Sequence, residues 1–467
     1  MIYNCPLDAV EIWDEHDCVW SKSYEEARGL FVALGNRLKA VGHPDLIQIE
    51  SIMFDVERGA SSRQSTIIAG ANTIDALLLT MKVGGDNQAN VVNVIHSAGT
   101  HGVEGFAGSA IQLNFLREMI LQSAEQSSGE KSCVRKILLI HAVNPVGMRY
   151  HRRFNENNVD LNRNVLSREQ WEEVRSSDPN MFGYVTLDRV LNPFYADGGS
   201  VGDGFAGDLT FLRQQDDKAY KASSAQKPTT AWLDDLRDIA YTFVSCLTTI
   251  SITGKFYWAG HFRSDFGPQH AIWTGYRQAK KTMVSSQYHK QQGIFYGGGA
   301  HNDDEWETSI QFLQQAIQDF GGLDFSSTGQ AVWIDVHTGL GGFGEYSLLT
   351  KGPGDVASPL RYQSLIAAGS GDSRVSAGYE ETRGFVNDDI LCPQPRCFGL
   401  TQEFGTRPGL AVAIALILEN KAFHIGGNSA WLTSWAFTWV ASLDNAKNHA
   451  LAVMHFHSRS LRLRTQN

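Results

Sequence analysis

Apolar residues recur in two rhythms along this chain, and the switches between them predict its elements. From Tyr24 to Leu38 they return every three or four positions, at Ala27, Leu30, Phe31, Leu34 and Leu38, which is the stripe of an amphipathic helix. Short apolar runs at 64–69 and 75–82 predict strands. Val91 to Ile95 is a continuous apolar, β-branched run bounded by a turn-like cluster, the pattern of a buried strand. After Phe106 helical spacing resumes at Ile111, Phe115 and Met119. KILLIHAV (136–143) predicts another buried strand. NPVGMRYHRRFNENNVDLNRN (144–164) is so rich in Asn and Arg that it reads as a polar loop outside the core.

From about 176 to 285 the rhythm loosens into Gly-rich pieces and an SSAQKPTT linker, an insertion that elaborates the surface. Order returns at QYHKQQGIFYGGG (287–299) and in a helix from Glu305 to Phe320. Strands follow at 331–337, 345–350 and 397–404, then a helix over 409–421 and a Trp-rich helix around 429–443. Alternation of this kind predicts an α/β fold, three layers α/β/α around a mixed, largely parallel sheet. The expected organisation is a tail at 1–20, one domain over 21–457 carrying the insertion, and a tail at 458–467.

A chain of 467 residues with 42% hydrophobic content can bury a large core. Its formal net charge of −10 gives no electrostatic case for nucleic acid. Six cysteines without a C-x-x-C pair read as reduced, intracellular usage. The acidic N-terminus lacks the apolar core of a signal peptide, and the run Leu410 to Leu418 is too short to span a bilayer. The expectation is a soluble, cytoplasmic protein without a membrane partner. Its oligomeric state does not follow from the sequence.

Candidate chemistry gathers where strands end. His101-Gly-Val-Glu104 sits on a glycine-bearing loop between a buried strand and a helix, where open α/β sheets build their sites. WIDVHTG puts His337 at the carboxyl end of another strand, and TQEFGT puts Glu403 at the end of a third. If these strands are parallel neighbours, two imidazoles and a carboxylate meet, with a second carboxylate and the arginines of 144–164 nearby. Two His and one Glu with an open position suit a catalytic zinc, and the whole is the kit for metal-assisted amide hydrolysis.

The ordered motifs H-x-x-E, N-P-x-G…R…D-L-N-R-N, a strand-end His and a strand-end Glu resemble the zinc carboxypeptidase superfamily. THGVEGFAGSA, NENNVDLNRN, GIFYGG, DVHTGLG and EFGT look like a branch of it whose domain has no assigned function. The resemblance covers roughly 21–165 and 287–457. It implies one zinc per chain, held by His101, Glu104 and His337. Glu403 matches the glutamate that activates water and passes its proton to the leaving amine. Arg153 matches the arginine that polarises the scissile carbonyl, and Asn162 and Arg163 the pair that holds the substrate's terminal carboxylate. A bidentate contact to a carboxylate is the physical reason for Arg there rather than Lys. Tyr379 lies at about the distance of the substrate-capping tyrosine, in surroundings that do not match. The implied substrate is a peptide or N-acyl amino acid with a free carboxylate. Beside the carboxypeptidase reading stand an N-acyl-amino-acid deacylase and a non-catalytic binding protein that retains the fold.

Several patterns have plainer readings. Gly339, Gly341, Gly342 and Gly344 fit G-x-G-x-x-G, but a strand follows rather than a helix, so no helix N-terminus awaits a pyrophosphate. His301 and Asp304 lie where acidic residues would cap the helix starting near Glu305. Arg149, Arg152 and Arg153 include at least one functional arginine beside what could be a solvated patch. Trp431, Trp435 and Trp439 form a stripe at helical spacing that reads as core. His96 and His141 read as structural.

Overall fold

The structure, a computed structural model, describes residues 18–42, 47–56, 60–62, 71–84, 92–123, 132–176, 184, 188, 191–192, 280–299, 306–319, 330–343, 346–350, 375–377, 382–388, 390–393, 397–425 and 430–438. In chain order these form α1 (Tyr24–Val41), β1 (Ile47–Asp55), β2 (Ala60–Ser62), β3 (Thr73–Gly84), β4 (Val92–Ala98), α2 (Gly105–Ser123), β5 (Ser132–His141), α3 (Pro145–Arg149), α4 (Arg168–Ser176), α5 (Thr308–Asp319), β6 (Gln330–Thr338), β7 (Tyr346–Thr350), β8 (Val375–Ala377), β9 (Cys397–Phe404), α6 (Gly409–Ile425) and α7 (Ala430–Thr438). The strands make one mixed sheet of nine, in the order β2-β1-β3-β5-β4-β6-β9-β7-β8. Its centre, β5-β4-β6-β9, is parallel throughout.

Side chains alternate between the faces of a strand, and the alternation sorts the core into layers. Leu77 and Leu79 of β3, Ile137 and Leu139 of β5, and Val332 and Ile334 of β6 pack with Phe31 and Leu34 of α1 and Leu113 and Leu116 of α2. Their sequence neighbours Ala76 and Leu78, Leu138 and Ile140, and Ala331 and Trp333 face the other way, onto Ile310, Leu313 and Ala316 of α5. Strands apolar on both faces are what a sheet covered on both sides requires. This is the expected three-layer architecture.

Several expectations shift in detail. β1 is not predicted by the sequence pattern, because its first half is only partly buried or exposed and carries Gln48, Glu50 and Ser51. On α2 the deeply buried positions are Phe106, Ala110, Leu113, Leu116 and Ile120, whereas Ile111 and Phe115 are only partly buried. The helix is wedged between the sheet and α1, so a wider arc than one stripe is covered. Trp431 and Trp435 are 49% and 37% exposed, against the expectation of core. Leu432, Ala436 and Phe437 take the buried face of α7 instead. Trp439 and the predicted strand at 64–69 lie outside the described residues, as do nearly all of the insertion and both tails.

The cysteines also depart from expectation. Cys392 and Cys397 form a disulfide across the turn that leads into β9, with Cα atoms 4.9 Å apart. Hydrogen bonds from Cys392 N to Asp388 O and from Cys397 N to Pro393 O fold that turn and bring the pair together. Cys18 is disulfide-bonded as well, and Cys133 is buried. Scattered cysteines therefore lend no support to a reducing compartment. No helix among the described residues is long and apolar enough to cross a membrane.

Candidate metal centre and its flanking groups

Strand register explains why distant residues meet. Trp333, Asp335 and His337 alternate onto one face of β6, and His337 is the direct partner of Glu403 on β9. On the other side of β6, Ser97 of β4 pairs with Asp335. His101 follows β4 at the same carboxyl edge, in a loop that enters a single 3-10 turn, Gly102–Glu104, and then α2. The turn lies on the backbone of α3: a side chain at Gly102 would come within 2.0 Å of the Gly147 carbonyl carbon. Gly102 N and Val103 N donate to the carbonyls of Arg153 and Arg152, tying the His101–Glu104 turn to the Asn/Arg loop.

His101, Glu104 and His337 converge at this edge, and their potential ligand atoms lie within 4.8 Å of one another. His101 Nδ1 is 2.9 Å from Glu104 Oε1 and 3.0 Å from His337 Nδ1, and His337 Nδ1 is 3.1 Å from Glu104 Oε2. All three are buried. The far nitrogen of each ring is taken by a carboxylate. His101 Nε2 lies 3.0 Å from Asp160 Oδ1, and His337 Nε2 lies 2.6 Å from Asp335 Oδ2. A proton held at each Nε2 leaves each Nδ1 as a lone-pair donor aimed at the shared point, the arrangement behind most metal-bound imidazoles. Two nitrogens and one carboxylate are the protein ligands of an open, catalytic zinc site, and these residues fit that ion.

Electrostatics reflect the crowding of charge. Burial would raise the Glu104 carboxyl, but the His101 and His337 rings outweigh it and hold it well below the carboxylate range. Burial would likewise lower His337, yet Asp335 and Glu104 push it up to about 10. Asp160 is held well below its ordinary value despite burial, chiefly by Arg153 and then His101. Arg153 donates from Nε and Nη2 to Asp160 Oδ2, both at 3.1 Å, and from Nη1 to Glu104 Oε1 at 3.1 Å.

Glu403 stands beside the cluster, buried, with Oε1 accepting from Leu340 N at 3.0 Å. Burial and the nearby Glu104 charge push its carboxyl up to about 8. The glycine run after His337 thus presents a backbone N–H to Glu403. A side chain at Gly405 would meet Gly342 O at 1.9 Å, so the two loops approach as only glycine allows. β7 follows that run, as the rejection of a dinucleotide fingerprint requires.

The loop expected outside the core is instead the buried floor of the site. Asn144, Arg152, Arg153, Asn155, Asn158, Asp160, Asn162, Arg163 and Asn164 are all buried. They can be so because they bond one another and backbone carbonyls, which offsets their desolvation. Arg152, for example, pairs with Glu419 of α6 and with Asn158 Oδ1 at 2.7 Å, so it is structural rather than solvated. Asn162 Oδ1 accepts from Val386 N at 3.1 Å. Arg163 donates to Val284 O at 3.0 and 2.8 Å and to Asn162 O at 2.6 Å, with its guanidinium over the Phe385 ring. Tyr379, His301 and Asp304 lie outside the described residues. His96 is bonded by Gln112 and His141 by Ser109, in keeping with structural roles.

Two residues of the centre are not among those singled out from the sequence: Asp160 and Asp335. Both had a signal. Asp335 stands two places before His337 on a strand, which puts it on the same face, and Asp160 opens the D-L-N-R motif.

Fold and site together define a three-layer α/β protein with a buried His–Glu–His cluster at the carboxyl edge of a parallel sheet centre. The chain belongs to the family described as protein of unknown function DUF2817, which matches residues 20–226 and 265–438. No curated protein matches it. Among solved structures it is similar to thrombin activatable fibrinolysis inhibitor, at 10% identity over 98% of this chain and 80% of that one, with a TM-score of 0.42. It is also similar to carboxypeptidase A from Helicoverpa armigera, at 12% identity over 92% and 74%, TM-score 0.38. A third is a putative succinylglutamate desuccinylase/aspartoacylase from Shewanella frigidimarina NCIMB 400, at 12% identity over 88% and 71%, TM-score 0.29. Likeness this remote carries no activity across, and the chemistry has to be argued from the residues themselves.

Proposed function

We propose that this protein is a zinc-dependent hydrolase that cleaves an amide bond next to a free carboxylate, as a carboxypeptidase does. One observation carries the reading: two imidazole Nδ1 atoms and the Glu104 carboxylate face one point, each ring is braced from behind by a carboxylate, and Glu403 stands alongside. Bound zinc would supply Lewis acidity there, polarising a carbonyl and making water a stronger acid. Glu403 takes the proton from water and returns it to the departing amine. A carboxyl group raised by burial can hold a proton between those two steps. Arg153, anchored on Asp160 and Glu104, adds positive charge where the carbonyl oxygen becomes an anion.

Asn162 and Arg163 form the clamp for the substrate's carboxylate. The guanidinium now donates to the carbonyls of Val284 and Asn162, and an incoming carboxylate would replace them as the stronger acceptor. The burial of Glu104, Glu403, Arg153, Asn162 and Arg163 favours a second reading, deacylation of N-acyl amino acids, because a compact substrate suits an enclosed site.

Metal analysis of the purified protein should return about one zinc per chain. The test of substrate class compares free-acid and C-terminally amidated versions of one peptide, together with N-acyl amino acids, on the wild type and on Arg163→Ala. A charge-assisted bond contributes about 1.5–3 kcal/mol, so kcat/KM on the free acid should fall roughly 10- to 200-fold in the variant. Amidated peptide should be poor and little affected. Turnover of N-acyl amino acids with no peptide cleavage selects the deacylase. Equal cleavage of both peptide forms by the wild type rules out carboxylate recognition.

A further inference from the structure

We propose that Asp335 is a positioning residue that locks the two histidine arms of the centre to each other. The inference deepens the zinc reading above and rests on it. Asp335 has no exposure at all, yet three hydrogen-bonding groups surround it. Its Oδ2 lies 2.6 Å from His337 Nε2. Its Oδ1 accepts from Ser97 Oγ at 2.6 Å and from Thr100 Oγ1 at 2.9 Å. His337 belongs to β6, whereas Ser97 belongs to β4 and Thr100 directly precedes His101. One carboxylate thus touches both polypeptide segments that deliver histidines.

The direction of each bond follows from proton counting. Trp333 Nε1 donates to Ser97 Oγ at 2.8 Å, and a hydroxyl that accepts there sends its single proton onward to Asp335. Thr100 Oγ1 sends its proton to the same Oδ1. A carboxylate has no proton of its own to give, so Oδ2 accepts the Nε2 proton of His337. The ring is thereby held with Nδ1 toward Glu104 and His101. The segment between β4 and His101 passes through Gly99, with φ of 74°, a turn with no side chain of its own to steady it. Backbone bonds from Val143 N to Ala98 O and from Asn144 N to Gly99 O tie this segment to the chain after β5, and the Thr100–Asp335 bond is the strut that ties it to β6 and His337. All of these groups are buried, so their geometry does not depend on solvent.

The test measures zinc affinity by competition with a chromophoric chelator, and the visible spectrum of the cobalt-loaded protein, neither of which requires turnover. Asp335→Asn preserves shape and removes the charge. Its zinc dissociation constant should rise roughly 10- to 100-fold, and its cobalt spectrum should change. Thr100→Val leaves His337 with its partner and removes only the strut, so its affinity should fall by roughly 10-fold. Because Thr100 acts through Asp335, the double variant should bind about as weakly as Asp335→Asn alone. Unchanged affinity in both single variants, or full additivity in the double, overturns the proposal while leaving a zinc-binding wild type intact. A wild type that takes up no zinc overturns the zinc reading and this proposal with it. If Asp335→Asn fails to fold, unchanged zinc affinity in Thr100→Val suffices to overturn the strut.

Discussion

The two histidines reach one point from arms built on different electrostatic plans. Behind His101 stands Asp160, whose second oxygen takes two N–H groups of Arg153, while the same guanidinium reaches forward to Glu104. That arm is a closed circuit of opposite charges. Behind His337 stands Asp335, whose second oxygen meets only neutral hydroxyls, and no cation is bonded to it among the described residues other than a protonated His337 ring. Full charge on the second carboxylate is therefore available to its imidazole. The comparison teaches that bracing a metal ligand and neutralising the brace are separable. One arm carries its own counter-ion, and the other leaves its charge for the ring and for whatever cation the ring binds.

The largest effect should come from removing either ring. His101→Ala or His337→Ala deletes one of three protein ligands, and zinc binding should be lost, as checked by metal content after gel filtration. Stoichiometric zinc in the double His variant would mean that the metal sits elsewhere. Next, Glu403→Gln acts beside the second arm without removing a ligand. It should retain zinc and lose roughly 10²- to 10⁴-fold in turnover, the usual contribution of a general base. Intact activity with intact zinc would move the base to another residue.

A smaller pair of effects compares the arms directly. Asp160→Asn leaves a buried guanidinium short of a partner and should cost about 3 kcal/mol of stability in urea unfolding of the metal-free protein. Asp335→Asn, whose hydroxyl neighbours can turn to meet an amide, should cost about 1 kcal/mol. Equal losses would break the distinction between a charge-paired and an unpaired brace.

The most gradual effect is in pH. Burial lowers His96 to about 4 and His141 and His424 to about 3, so below the ordinary value of 6.5 the unfolded chain takes protons that the folded one refuses. Stability of the metal-free protein should fall as pH drops from about 6.5 toward 4. Above 6.5 the sign reverses. His337, raised to about 10, and Glu403, raised to about 8, keep protons that the unfolded chain has released. Thermal unfolding across pH should therefore peak near 6.5 in the metal-free protein, and zinc should flatten the alkaline limb by replacing the proton on His337. A limb unchanged by zinc would mean that His337 is not a ligand.

Much of the fold was legible because its strands are apolar on both faces and its helices amphipathic. The runs at 91–95, 136–143, 331–337 and 397–404 all appear as the parallel centre of the sheet. Legibility failed where local pattern and tertiary setting disagree. β1 has a half-exposed, mixed sequence and becomes a strand by pairing with β3 over its whole length. The Trp431–Trp435 face has the spacing of a core stripe, yet its helix buries the face that carries Leu432 and Phe437.

The site divides along the same line. Residue type, motif order and position at strand ends were enough to single out His101, Glu104, His337, Glu403 and Arg153. Strand periodicity also implied that Asp335 shares a face with His337, since two residues along a strand return to the same side. Only the tertiary structure decided which nitrogen of each ring faces the shared point, because that depends on carboxylates contributed from elsewhere in the fold. It also decided that the Asn- and Arg-rich loop is interior. Polarity along a sequence measures the cost of burial, whereas the hydrogen bonds that offset that cost exist only once residues as distant as Arg152 and Glu419 have met.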